Sequence, residues 1–398
     1  MREPESKLSK NTSRKKKEAL SKAADENKPR KPGPATLEKD EKDFKNAEEN
    51  LKKLLKNLVR LGGISENEIT GAYVNRSRQG NLSLVILVLN KAAKNKVRGV
   101  VKNKEKLKLF GTDTKPTKNR PLRIYVIERK FELILPGRIT ENIKKNAKNS
   151  NINGGIKCKS NLTNEYGTLG AIITCRDDSS NEIHYGITCR HVVKGDKDTS
   201  LQLVNGTDIG KILQSFWTDN GEKLNDIDFA IASLTAEIDS QPGVGINGIG
   251  NETGIIEDRL SGVGNGAVDA KELFFKQGAT SKITRATDFK KYTLVKVEFD
   301  GQTHVFENVY QIRSFGSQDN DPFVKPGDSG SVVLIERNGK KYPCGILFAM
   351  ADNGLYGIAF NLCTAIDRLD AQLSNNIKKY YTKLPNKSKK RSLTGTRK

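Results

Sequence analysis

Residues 325–331 read KPGDSGS. Gly, Asp, Ser and Pro cluster in ordinary turns, because Gly supplies positive φ, Pro presets φ, and Asp and Ser bond their own backbone. The stretch therefore has two readings. It is a polar turn, or it is a loop that presents Ser329 as a nucleophile. A serine hydroxyl is weak at neutral pH and needs an adjacent base, oriented in turn by a third group. The second reading thus requires a histidine and a carboxylate elsewhere in the chain.

Histidine is scarce: His184, His191 and His304. His191 stands in HYGITCRHVV, at the end of one apolar run and the start of another. Asp228 stands in NDIDFAIASL, where Phe229 and Ile231 alternate with Ala230 and Ala232 as on a strand. Singly, a histidine at a strand end and an aspartate at a strand start are usually structural. Together with Ser329 they occur in the order His191, Asp228, Ser329, one of the chain orders in which a Ser-His-Asp triad is found.

Four stretches then resemble the trypsin-fold (chymotrypsin-like) serine peptidases, and the intracellular, bacterial-type members without disulfides more than the digestive enzymes. GTLGAII (167–173) with HYGITCRHV (184–192) is similar to their first hairpin and catalytic histidine. DIDFAI (226–231) is similar to the aspartate strand, PGDSGSVV (326–333) to the nucleophile loop, and CGILFAM…LYGIAF (344–360) to the last two strands. The resemblance implies a mainly β fold, a double six-stranded β-barrel over 150–377, preceded by a small α/β region. It implies a serine endopeptidase acting through an acyl-enzyme. His191 would be the base, Asp228 its orienter and Ser329 the nucleophile. The N–H groups of Gly327 and Ser329 would form the oxyanion hole.

The same alignment places Phe323 near the base of a specificity pocket, with Phe348, Ala349 and Met350 near its wall. No acid stands at the base, so an apolar P1 preference is expected rather than Arg or Lys. INGG (152–155) resembles the terminus freed in zymogen activation, but it also reads as an ordinary glycine turn, and the second reading is preferred. His184, Cys189 and His304 lack metal-ligand spacing. No metal and no cofactor is expected.

Outside the motifs, periodicity sets the organisation. FKNAEENLKKLLKNLVRL (44–61) has apolar residues at helical spacing and ends at Gly62 and Gly63. NLSLVILVLN (81–90) and PLRIYVIERKFEL (121–133) are strand-like runs that complete the α/β region of 44–140. IDRLDAQLSNNIKKYY (366–381) predicts a closing helix.

The net charge of +22 over 398 residues is unevenly spread. The balance is +5 over 1–45, +15 over 46–150, −7 over 151–377 and +9 over 378–398. Residues 1–43 are too polar to bury a core and are expected to be a disordered basic tail, with a second basic tail at 378–398. Basic runs leave nucleic acid or another polyanion open as a partner beside the protein or peptide substrate. They also have a plain reading as solubilising tails. No secretory signal and no membrane span is legible. Five cysteines, an odd number without an export signal, point to free thiols in a cytoplasmic or nuclear setting. Two other functions compete with the peptidase: a catalytically silent trypsin-fold binding module, and a polyanion-binding protein working through the basic N-terminal region.

Overall fold

The computed structural model describes residues 34–76, 81–102, 122–140, 152–176, 181–216, 227–235, 243–246, 250–252, 273–299, 302–314, 322–337 and 340–378. The basic runs at 1–33 and 379–398 lie outside the described residues. Helix α1 spans Pro34–Gly62. It begins within the segment expected to be disordered, ten residues ahead of the apolar stripe. Its Ala47, Leu51, Leu54 and Leu58 are buried, as the helical spacing requires.

Described residues from Asn46 onward form one compact unit. It is mainly β. The strands run β1 (Ile69–Arg76), β2 (Leu82–Val88), β3 (Arg123–Glu128), β4 (Phe131–Leu133), β5 (Gly137–Arg138), β6 (Ile156–Ser160), β7 (Glu165–Leu169), β8 (Ala171–Arg176), β9 (Glu182–Thr188) and β10 (Ser200–Leu203). They continue through β11 (Asp208–Phe216), β12 (Phe229–Leu234), β13 (Gly243–Ile246), β14 (Gly250–Glu252), β15 (Leu273–Gly278), β16 (Lys282–Phe299), β17 (Gln302–Ser314), β18 (Val332–Arg337), β19 (Lys340–Ala351) and β20 (Tyr356–Asn361). Helix α2 (Lys91–Lys102) joins β2 to β3. Helix α3 (Arg190–Val193) is a single turn after β9.

These strands form two ten-stranded sheets. One follows the order β14-β13-β8-β9-β12-β11-β10-β6-β7-β5. The other follows β15-β18-β19-β20-β17-β16-β1-β2-β3, with β4 paired to both β16 and β19 and β15 paired also to β16. The α/β region is therefore not a separate layer. Its β1 pairs antiparallel with β16, Gly71 opposite Val295 and Ala72 opposite Leu294. The 121–133 run, expected as one strand, is two. β3 lies parallel to β2, and after Arg129 and Lys130 the chain leaves that edge to enter the sheet between β16 and β19 as β4.

The closing helix is also divided, into α4 (Leu362–Asp367) and α5 (Ala371–Lys378). Each has its own start signal. The Asn361 side chain accepts from the N–H groups of Cys363 and Thr364, and the Asp370 side chain accepts from the Leu373 N–H. Capping aspartate and asparagine offer the helix's first N–H groups an acceptor they would otherwise lack. Among the described residues no helix is long and apolar enough to cross a membrane.

Candidate active site

Three separate elements deliver His191, Asp228 and Ser329 to one point. His191 sits on α3, the single turn ending in Lys194 with a left-handed φ of 47°. Asp228 immediately precedes β12. Ser329 closes the loop that leads into β18. The Ser329 Oγ lies 2.7 Å from His191 Nε2. His191 Nδ1 bonds one carboxylate oxygen of Asp228, and the other accepts the His191 backbone N–H at 3.1 Å. A carboxylate can only accept, so Nδ1 carries the proton and Nε2 is left to accept from the serine hydroxyl. All three side chains are buried, at 1%, 0% and 0% exposure.

Threonines tie the Ser329 loop to the opposite sheet. The Thr168 N–H donates to the Ser329 carbonyl at 2.8 Å, and its hydroxyl donates to the Gly327 carbonyl at 2.9 Å. Thr188 donates to the Thr168 carbonyl at 2.7 Å. The loop turns at Gly327 and Gly330, both at φ 90°. A Cβ at Gly327 would sit 2.6 Å from both Thr280 Oγ1 and a Tyr166 ring carbon, and one at Gly330 would sit 2.4 Å from the Thr168 carbonyl oxygen. Both conformation and space thus exclude a side chain.

The loop's own acid, Asp328, has a partner that the sequence reading missed. Its carboxylate is buried and accepts from the N–H groups of Thr280, Ser281 and Lys325, each at 2.9 Å. The fourth donor is the Lys276 ammonium, also at 2.9 Å, on a side chain with no exposure. Burial raises the Asp328 pKa, but the Lys276 charge and the hydrogen bonds outweigh it and hold the carboxyl below its ordinary value. Burial likewise pushes the Lys276 ammonium down, against the pull of Asp328. With these donors in place the Asp328 carboxylate already has its counter-charge. A chain terminus freed at Ile152 would have to displace Lys276 to reach it. The legible signal was a single charge inside the apolar run LFFKQGA (273–279).

Of the four expected pocket residues, Phe323 is buried in an apolar cluster with Ile134, Val324, Leu347 and Ala359, and Met350 packs against that cluster. Phe348 and Ala349 belong to a different cluster, with Phe306 and Phe360. The pairing of β19 with β20 shifts register between Leu347 and Ala349. That irregularity breaks the in–out alternation, and so turns two consecutive side chains away from the Phe323 side.

Cys189, His191 and Asp228 have ligand atoms within 4.8 Å of one another. The donor set does not suit a metal. Burial pushes the Cys189 thiol well above its ordinary pKa, its Sγ–H donates to the Leu347 carbonyl at 3.3 Å, and His191 and Asp228 are engaged with each other. His184 bonds Thr174 Oγ1 at 2.9 Å. Neither His184 nor His304 joins a metal-capable group among the described residues.

No family model and no curated protein matches the chain. Among solved structures it is similar to alpha-lytic protease homolog N4, at 15% identity over 55% of this chain and 96% of that one, TM-score 0.33. It is similar to the inactive form of the Rv3671c protease, at 14% identity over 62% and 99%, TM-score 0.30; a related structure assigns Rv3671c to M. tuberculosis. A third is the HtrA-type protease AlgW with decapeptide, at 13% over 63% and 64%, TM-score 0.28.

Proposed function

We propose that the chain is a serine endopeptidase of trypsin-like architecture, with His191, Asp228 and Ser329 as its triad. The observation that carries the reading is the unbroken relay from Ser329 Oγ through both imidazole nitrogens to Asp228. The architecture has its own support. β6, the continuous pair β7 and β8, then β9, β12, β11 and β10 pair in a ring of six that returns to β6. β15, β18, β19, β20, β17 and β16 pair in a second ring. We read these as the two barrels of a peptidase domain spanning 150–377, to which 44–140 is fused through β1 and β16.

In this mechanism Ser329 Oγ attacks the substrate carbonyl carbon while its proton passes to His191 Nε2. The imidazolium is stabilised by Asp228, which stays ionised. Negative charge on the carbonyl oxygen is met by the Gly327 and Ser329 N–H groups, each such donor worth about 10²–10³ in rate. The imidazolium then protonates the leaving amine, and water, activated by the same imidazole, hydrolyses the acyl-enzyme. Because Asp328 is already paired with Lys276, the loop needs no proteolytic activation. Cys189 is a poor rival nucleophile, since its thiol is held protonated and aimed at the Leu347 carbonyl. Five free, buried cysteines suit a reducing compartment.

The test is labelling with a fluorophosphonate probe, which reacts with activated serine hydroxyls, followed by mapping of the adduct. An adduct at Ser329 that is lost in Ser329→Ala and His191→Ala is expected. An adduct elsewhere, or one that survives Ser329→Ala, overturns the assignment.

A further inference from the structure

The buried nucleophile is covered by the chain itself. Residues 131–137, FELILPG, cross the cleft between the two sheets. They enter antiparallel to β19, with Phe131 opposite Ala351, Glu132 opposite Met350 and Leu133 opposite Ala349. The next N–H, of Ile134, donates to the Phe348 carbonyl at 3.0 Å. The segment leaves by pairing Gly137 with Tyr166 on β7. A Cβ at Gly137 would lie 2.2 Å from the Tyr166 ring, so only glycine lets the chain pass that closely. Between these anchors the Ile134 carbonyl oxygen stands 3.3 Å from His191 Nε2. The Gly327 N–H donates to the Leu135 carbonyl at 2.7 Å. The Ile134 side chain has 0% exposure and lies in the cluster with Phe323, while Leu135 is 57% exposed.

Resting on the peptidase reading, we propose that residues 131–137 are a built-in occupant of the substrate cleft, and that Ile134 marks its pocket as one for a branched aliphatic side chain. An extended peptide gains affinity by adding a strand through main-chain hydrogen bonds and gains specificity from pockets for alternate side chains. Residues 131–134 do both. The occupant is held out of reach of attack. The side chain in the pocket belongs to Ile134, whereas the carbonyl at the Gly327 donor belongs to Leu135. No single peptide group is both anchored by the pocket and polarised by the hole. The Ile134 carbonyl instead turns toward the imidazole. The segment thus closes the cleft, and substrate must displace it.

The experiment measures the rate of fluorophosphonate labelling of the full chain, wild type against Ile134→Asp, both confirmed folded. A charge in the apolar pocket should expel the segment, so labelling at Ser329 at least 10-fold faster is expected. Equal rates overturn the proposal while leaving the enzyme reading intact. An absence of labelling in both folded proteins removes the enzyme reading, and this one with it. If Ile134→Asp does not fold, Ile134→Ala serves, with a smaller acceleration expected and equal rates again decisive. Peptide amides with Ile, Val, Arg or Glu before the scissile bond are then offered to the faster-labelling variant. At least 10-fold preference for Ile or Val supports the pocket assignment, and preference for Arg or Glu overturns it.

Discussion

Two aspartates in this molecule are equally buried and differently employed. Asp228 and Asp328 each have 0% exposure. Asp228 spends its oxygens on the His191 backbone N–H and on the His191 ring, which also meets the Ser329 hydroxyl. Asp328 spends its oxygens on three backbone N–H groups and on Lys276, a standing cation. A carboxylate facing an imidazole that bonds a hydroxyl can orient that ring and stabilise its charged form. One facing a buried lysine and three peptide groups holds a loop in shape. On the proposed function the first would serve the chemistry and the second the architecture, and each role can be tested.

The largest effect is expected at Asp228. Asp228→Asn keeps the volume but can present an N–H to the imidazole, which favours the wrong tautomer. Activity should fall on the order of 10⁴-fold with little change in stability. Substrate turnover and thermal denaturation, measured together, check it. A large loss of stability with activity retained would reverse the two roles.

The reverse pattern is expected at Lys276. Lys276→Met removes the cation and leaves the Asp328 charge buried with no counter-charge, at a cost of about 3–5 kcal/mol. Denaturant titration reads this. Adding Asp328→Asn to Lys276→Met should recover part of the loss, because the stranded charge is then gone. A double variant no more stable than Lys276→Met would show that the pair is not where the energy lies.

These two sites were unequally legible. That Ser329, His191 and Asp228 meet was readable because each sits in a short local pattern, and their chain order tied the patterns together. Lys276 was not, because its partner is 52 residues away and only a folded sheet makes them neighbours. The same holds for 131–137. As sequence it continues the strand-like run from 121, and its pairing with β19 is a long-range event that no local period encodes. Phe323 and Met350 share the Ile134 cluster. Phe348 and Ala349 do not, because a register irregularity in β19 has no signature in CGILFAM.

A smaller effect is expected at the loop that joins the two roles. Gly327→Ala must place a side chain at φ 90°, 2.6 Å from Thr280 Oγ1 and from the Tyr166 ring. Strain of this kind costs about 1–3 kcal/mol. The Gly327 N–H should also be displaced, so labelling of Ser329 should slow by more than the loss of stability accounts for. Unchanged labelling in a folded Gly327→Ala would remove this N–H from the oxyanion hole.

The subtlest test of the comparison is pH. The Asp328 carboxyl is held below its ordinary value of 3.8 by Lys276 and hydrogen bonds that outweigh its burial. In that window the unfolded chain binds more protons than the folded one, so stability must fall as pH falls. The contribution is fully present above about 3.8 and is lost as pH drops through the folded value. Lys276, pushed by burial below its ordinary 10.5, gives the same sign at the other end, with stability rising as pH climbs toward 10.5. Asp328→Asn should therefore flatten the acid limb of a stability-against-pH curve relative to wild type, whatever it does to absolute stability. If the acid limb keeps its slope in Asp328→Asn, the protons are taken up elsewhere. The contrast between a carboxylate that holds a loop and one that serves a proton transfer would then lose its thermodynamic half.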